Sequence, residues 1–385
     1  MPEAHFPADD LRRAFSGKQV LLTGHTGFKG AWLALWLTKL GARVRAVALP
    51  PTADQPCMFS AARIEALVEH RIADIRCEEQ FAVAIDGFDP DLVVHMAAQA
   101  LVRPSYAAPI DTFRTNVIGT AVVMDAARRM ERLRGIVVVT SDKCYENREW
   151  QWGYRETDRL GGKDPYSASK ACTELVATSY RKSFFGEPDS AIVATVRAGN
   201  VIGGGDWSTD RLVPDMIRAS AAGESVRIRN PASVRPWQHV IEPLAGYLQL
   251  AAGMLDGRRS LSGAWNFGPN AESVVDVGTL AQMLQQRWGP DAAPLHFDSP
   301  TSEKPEAGLL RIDSSKAISE LGWRPRLSLR ETLTFTADWY RACLSGSANL
   351  RVLSEQQIDQ YMNVPHRQHR TPAAVALQEG EAACA

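Results

Sequence analysis

The chain has 385 residues, 45 % of them hydrophobic, with 43 basic and 44 acidic side chains and a net charge of −1; this gives no electrostatic reason to expect nucleic acid or a membrane surface as partner. The length allows two or so domains, or one large α/β unit with a smaller lobe. The six cysteines form no C-x-x-C pair, no metal site is expected, and no leader pattern or membrane-length apolar run is seen, so the expected location is the cytoplasm with reduced thiols.

Residues 1–17 are polar and read as a loose lead-in. Residues 18–24 are a short apolar run ending in glycine, as a buried first strand would be. Gly24-His25-Thr26-Gly27-Phe28-Lys29-Gly30 follows, then an apolar helical run over 31–37. Strand, glycine loop and helix are the context a dinucleotide site needs: glycines let the backbone approach a pyrophosphate, and a helix N-terminus favours its charge. A tight turn without a ligand is the alternative reading of this G-x-x-G-x-x-G spacing. Residues 44–49 read as the second strand, which ends in Pro50-Pro51 without an acid for ribose hydroxyls.

Residues 57–69 read as a helix and 70–75 as a third strand, where Asp74 is either an acceptor for an adenine amino group or a plain turn residue. Residues 91–99 read as a fourth strand with small residues at its end; His95 within it reads as a satisfied core histidine. A long helix is expected over 109–131, containing Asn116, which can hydrogen-bond backbone or hold water.

A fifth strand over 136–140 delivers Ser141, Asp142 and Lys143 to its carboxyl end, where ligands bind in open α/β sheets. Asp164 and Pro165 then open a helix to about 184, as N-cap and first helical residue. Tyr166 and Lys170 are four apart and share one face, about 5–6 Å from each other. A cation beside a phenol lowers its pKa and makes it a usable base for an alcohol proton; a solvated face is the alternative. Residues 191–196 read as a sixth strand leading to Asn200. Six strands alternating with helices define an α/β, doubly wound, Rossmann-like parallel sheet.

Beyond Asn200 come the loop Gly203-Gly204-Gly205-Asp206-Trp207 and an amphipathic helix over 210–222. Arg227, Arg229 and Arg235, close to Trp237, suit a phosphate-bearing substrate or else mark a charged edge strand. Helices over 241–256 and 329–344, a strand over 264–268, a strand running into a helix over 309–317, and a disordered tail over 366–385 complete the chain. The expected division is a dinucleotide domain over 18–200, to which 238–268 and about 326–345 return, and a smaller C-terminal substrate-binding lobe from 201–237 and 269–325.

Thr23-Gly24-x-x-Gly27-x-x-Gly30, Asp74-Ile75, Ala97-Ala98-Gln99 and Tyr166-x-x-x-Lys170 together resemble the extended short-chain dehydrogenase/reductase superfamily over roughly residues 17–345. Within it, residues 140–150, 203–207, 235–240 and 265–269, with Pro50-Pro51-Thr52, are similar to the family of CDP-glucose 4,6-dehydratases. The resemblance implies bound NAD, transiently reduced, and a CDP-glucose substrate that loses water. It implies an NAD site formed by Gly24, Thr26, Gly27, Phe28, Gly30, Asp74, Ile75, Ala97, Ala98, Gln99, Asn116, Tyr166 and Lys170. It also implies Tyr166 as base at O4 with Lys170 and Ser141 assisting, Asp142 as acid at O6, and Lys143 as base at C5. Related dehydratases carry Asp-Glu where this chain has Asp142-Lys143. Asn200 and Arg235 are expected at the substrate diphosphate, and a homodimer or homotetramer through the helices from 109 and 166. A 4-epimerase and a non-catalytic dinucleotide sensor are the alternatives; neither needs the pair Asp142-Lys143.

Overall fold

Short apolar runs need both faces covered, and they form the middle of a seven-stranded sheet at the centre of the molecule, whose edge at Glu69–Ile72 is polar and partly exposed. The structure is a computed structural model that describes residues 8–52, 56–298, 308–346 and 348–364. The strands are β1 (Gln19–Thr23), β2 (Arg43–Ala48), β3 (Glu69–Ile72), β4 (Leu92–His95), β5 (Gly135–Val139), β6 (Ile192–Ala198) and β7 (Gly263–Phe267). They pair in parallel in the order β7-β6-β5-β4-β1-β2-β3. The strand alternation divides the core in two. Val20, Leu22, Val137 and Val139 face one helical layer, while Leu21, Ile136 and Val138 face the other. The winding reverses between β4 and β1, which opens a crevice at the carboxyl ends of these strands.

The sequence expectation of six alternating strands, with a later segment returning, becomes one sheet of seven because Gly263–Phe267 pairs with β6. The expected helix over 57–69 breaks into Met58–Ala61 and Ile64–Leu67 at Arg63, whose φ is 52°. Of the expected strand running into a helix over 309–317, the strand is only two isolated bridges, Leu309 with Val234 and Ile312 with Tyr154, while the helical part forms and widens into a π turn at Ala317–Leu321. The tail expected at 366–385 lies outside the described residues.

A small lobe caps the crevice. Val226–Ile228 pairs with Leu295–Phe297, and Val234–Pro236 with Val274–Asp276. The helices Leu212–Ala222 and Val277–Trp288 pack in the same lobe. No helix among the described residues is long and apolar enough to cross a membrane.

The first and last helices among the described residues pack over the fold. The lead-in is not loose throughout: Ala8–Phe15 is a helix with acids in its first turn and arginines in its last. Leu11 and Phe15, four apart, bury one stripe against the helix Ile241–Leu255. At the other end, Leu350–Asn363 packs on the helix Phe28–Lys39, with Tyr361 edge-on to Trp36. The buried Glu242 carboxylate accepts from Arg326 N at 2.8 Å, Leu327 N at 2.6 Å and Tyr361 Oη at 2.9 Å. Burial pushes it up to about 7.

If the N-terminal helix belongs to the core, Phe15→Ala should cost about 3–5 kcal/mol. A urea midpoint unchanged from wild type would show that the helix contributes nothing to the fold.

Candidate active site

The crevice is a cleft of about 720 Å³ between the sheet and the small lobe. Its floor is the glycine loop. Gly24 has φ 83°, and a Cβ there would come within 2.6 Å of Ala97 N. A Cβ on Gly30 would overlap Gly24 O, whereas Gly27 meets only Gly24 O, at 3.4 Å. Thr23 Oγ1 accepts from Met96 N and Ala97 N at 3.1 Å each, which fixes the ends of β1 and β4 together. The helix Phe28–Lys39 starts at Gly27 with no side-chain cap and no acid in its first turn. Its first N–H groups and dipole are thus left for an anion, and the bare glycine backbone admits a diphosphate. This donor set fits a dinucleotide.

Gly24, Thr26, Gly27, Phe28, Gly30, Asp74, Ile75, Ala97, Ala98 and Gln99 all line the cleft. The Asp74 carboxylate is held by Arg76 and lies below its ordinary range for that reason. Asn116 is the exception: it lies behind the lining, at 1 % exposure. Its Oδ1 accepts from Gln99 N at 2.8 Å, and its Nδ2 donates to Gln99 O at 3.0 Å and Ser169 Oγ at 2.8 Å. It clamps the loop after β4 to the Tyr166 helix. The helical run over 109–127 widens into a π turn at Arg114–Ile118, which carries Asn116. His95 is a core residue, bonded to Thr23 Oγ1 at 2.7 Å and Thr120 Oγ1 at 3.0 Å.

The second group of expected residues meets at the end of β5. Ser141, Asp142, Lys143, Tyr166, Lys170, Asn200 and Arg235 line the same cleft. Asp164 Oδ1 accepts from Ser167 N at 2.9 Å and caps the helix Pro165–Ser183, so Tyr166 lies in its first turn. Ser141 is the N-cap of a short 3₁₀ turn over Asp142–Cys144 and donates its hydroxyl to Asp142 Oδ1 at 3.0 Å. Asp142 Oδ2 has no hydrogen-bond partner among the described residues. Burial raises the Asp142 carboxyl, although Lys143, the Ser141 hydroxyl and Arg235 pull it down. A carboxyl raised in this way keeps its proton to a higher pH than an ordinary one, which suits an acid role.

Tyr166 departs from expectation. Burial pushes its phenol up to about 12; the Ser141 hydrogen bond and the Arg211 cation oppose the shift, while Asp142 adds to it. Lys170 does not carry the lowering read from its spacing. Its Nζ donates to Val139 O at 3.2 Å, and burial brings its ammonium down to about 8. Sequence spacing shows proximity but not desolvation, and here desolvation is larger.

Of the three arginines after residue 226, Arg235 is buried, with Nη1 donating to Val234 O at 2.9 Å. Arg227 is paired with Asp298 at an exposed edge, and Arg229 with Asp210. Sequence reasoning missed Lys29, which lines the cleft and donates to Tyr247 Oη at 3.1 Å. Burial, Lys170 and Arg211 bring it down to about 7. Its place between Gly27 and Gly30 was the available signal.

Sheet order, glycine loop and the Ser141–Tyr166–Lys170 group define an extended short-chain dehydrogenase/reductase. The family described as GDP-mannose 4,6 dehydratase matches residues 21–336, and the chain belongs to that family. It is 46 % identical to the CDP-glucose 4,6-dehydratase of Salmonella typhimurium over 358 residues, 92 % of this chain and 98 % of that protein. The solved dTDP-glucose 4,6-dehydratase of Streptomyces venezuelae, with NAD bound, is 23 % identical, with a TM-score of 0.72 over 86 % of this chain and 99 % of that one. The UDP-glucose 4-epimerase of Thermotoga maritima has the same fold at 22 % identity and a TM-score of 0.72, over 85 % of this chain and 99 % of that one.

Gly30→Ala forces a methyl group onto Gly24 O. Calorimetric titration with NAD should show affinity lowered at least about tenfold, since the loop must shift away from its ligand. Wild-type affinity would remove the glycine loop from the cofactor site.

Proposed function

We propose that the protein catalyses the 4,6-dehydration of CDP-D-glucose to CDP-4-dehydro-6-deoxy-D-glucose and water, with NAD as cofactor. The observation that carries this reading is Asp142, a raised, buried carboxyl in the cleft with Oδ2 unpartnered among the described residues. Oxidation at C4 acidifies the hydrogen at C5. A base at C5 and an acid at O6 can then expel water across C5–C6. An epimerase acts at C4 alone and has no use for that acid.

When bound, NAD supplies the oxidising equivalent at C4 and returns it at C6, so the reaction is redox-neutral. Tyr166 takes the O4 proton; the Ser141 hydrogen bond and the Arg211 cation oppose the upward pull of burial on its phenol. Lys170, one turn later, holds the cofactor face of the site. Asp142 delivers a proton to the C6 hydroxyl as it leaves. Lys143, adjacent to Asp142, takes the C5 proton, a role a lysine can fill only as the neutral amine. Asn200 and the buried Arg235 hold the substrate diphosphate. The enzyme works in the cytoplasm as a homodimer or homotetramer. Support for assembly comes from the exposed Ile110, Ile118 and Leu175 on the helices expected to pair.

The test is incubation with NAD and CDP-, dTDP-, UDP- or GDP-glucose, read by the alkaline absorbance of the 4-keto product and by mass. Loss of water confined to CDP-glucose is expected. A product of unchanged mass with inverted C4 would make the protein an epimerase. Water loss from another nucleotide alone would keep the mechanism and change the substrate.

Asp142→Asn keeps the side-chain shape but removes the transferable proton. Single-turnover measurements should still show C4 oxidation, with water loss slowed about 10²–10⁴-fold. Undiminished water loss would take Asp142 out of the acid role.

A further inference from the structure

Beneath the catalytic side chains lies a polar cluster that the reaction itself does not use. Glu174 stands one helical turn after Lys170 and is 2 % exposed. Its Oε1 accepts from Thr140 Oγ1 at 2.5 Å and Arg197 Nε at 2.8 Å. Its Oε2 accepts from Thr195 Oγ1 at 2.6 Å and Arg197 Nη2 at 2.9 Å. Arg197 Nη1 donates to Tyr145 Oη at 2.7 Å and Glu156 O at 3.3 Å, and Tyr145 Oη donates to Asn266 Oδ1 at 2.8 Å.

A buried ion pair is a weak source of stability, because desolvation offsets much of the attraction. This one is also placed with unusual economy. Thr140 precedes Ser141, Arg197 leads along β6 towards Asn200, and Glu174 shares a helix with Tyr166 and Lys170. One carboxylate thus joins the three segments that converge on the cleft.

We propose that Glu174 is a positioning residue, which locks the Ser141–Lys143 segment to the Tyr166–Lys170 face through Thr140 and Arg197. The inference rests on the dehydratase reading for its kinetic consequences. Its electrostatic consequence concerns Lys170. Burial lowers Lys170, while Glu174 on its own helix and Cys144 after β5 raise it; Lys170 in turn lowers His95 on β4 and Lys29 beside the glycine loop, and Arg197 on β6 pairs with Glu174 from behind. Glu174 pulls the Lys170 ammonium up against the burial that has brought it to about 8. Removing that negative charge moves Lys170 further down, so the cation is lost at lower pH.

The test compares wild type, Glu174→Gln, Glu174→Asp and Thr140→Val. For each, the pH profile of 4-keto product formation is measured. Lys170 is titrated independently by the pH dependence of its acetylation by acetic anhydride, read by peptide mass spectrometry. Glu174→Gln should lower kcat by about 10–100-fold and move both the alkaline limb and the Lys170 midpoint down by about one pH unit, with partial rescue by Glu174→Asp. Thr140→Val should lower kcat about tenfold with the Lys170 midpoint unmoved. A Glu174→Gln protein of lowered Tm but wild-type midpoint and limb overturns the inference, since the residue would then be structural only. Should Glu174→Gln fail to fold because Arg197 is left unpaired, wild-type kcat in Thr140→Val overturns it instead. If wild type dehydrates no nucleotide sugar, the functional reading fails, while the Lys170 titration still decides the link to Glu174.

Discussion

At the end of β1 the backbone of Gly24 passes so close to Ala97 that a methyl group would have no room, and Thr23 bonds across the same gap. That approach determines where the crevice lies. It brings the first glycine, the small residues after β4 and the open N-terminus of the helix Phe28–Lys39 to one place. It is possible only because the sheet reverses its winding there, leaving no crossover helix to fill the space. The small lobe then closes a groove that the sheet has already made.

The groove also shifts the charges of the side chains buried in it. Lys29, Asp142, Tyr166, Lys170 and Glu174 are all shifted from their ordinary values, and burial is the largest single influence on each. Glu174 alone ends lower than an ordinary carboxylate, because Arg197 and two threonine hydroxyls outweigh its desolvation. The same dry surroundings therefore keep one carboxyl ready to give a proton and hold another as a permanent anion. Hydrogen-bond donors make the difference: four reach Glu174, while Asp142 Oδ2 has none among the described residues.

Much of this was legible in the residues. The alternation of apolar runs with helices gave the parallel sheet, and the glycine spacing, with Tyr166 and Lys170, located the cleft. Local spacing carries that information because a glycine loop and an i, i+4 pair are short-range objects. Three things were not legible. Asn116 turned out to be a clamp, since its partners Gln99 and Ser169 are distant in sequence. The phenol of Tyr166 moved up, since desolvation depends on everything packed around it. The terminal helix Ala8–Phe15 looked polar because only Leu11, Ala14 and Phe15 face inward, a stripe too narrow to dominate composition.

The contact between Glu242 and Tyr361 has a bearing on how the protein is made. Glu242 sits in the buried helix behind the sheet, and its last hydrogen bond comes from a residue 119 positions later. During synthesis that carboxylate is exposed to water or under-bonded until Tyr361 has emerged. The sheet and the glycine loop can assemble while translation proceeds, but the back layer is completed only by the helix Leu350–Asn363. A stalled or shortened product would carry the whole catalytic cleft and still lack the piece that closes the fold behind it.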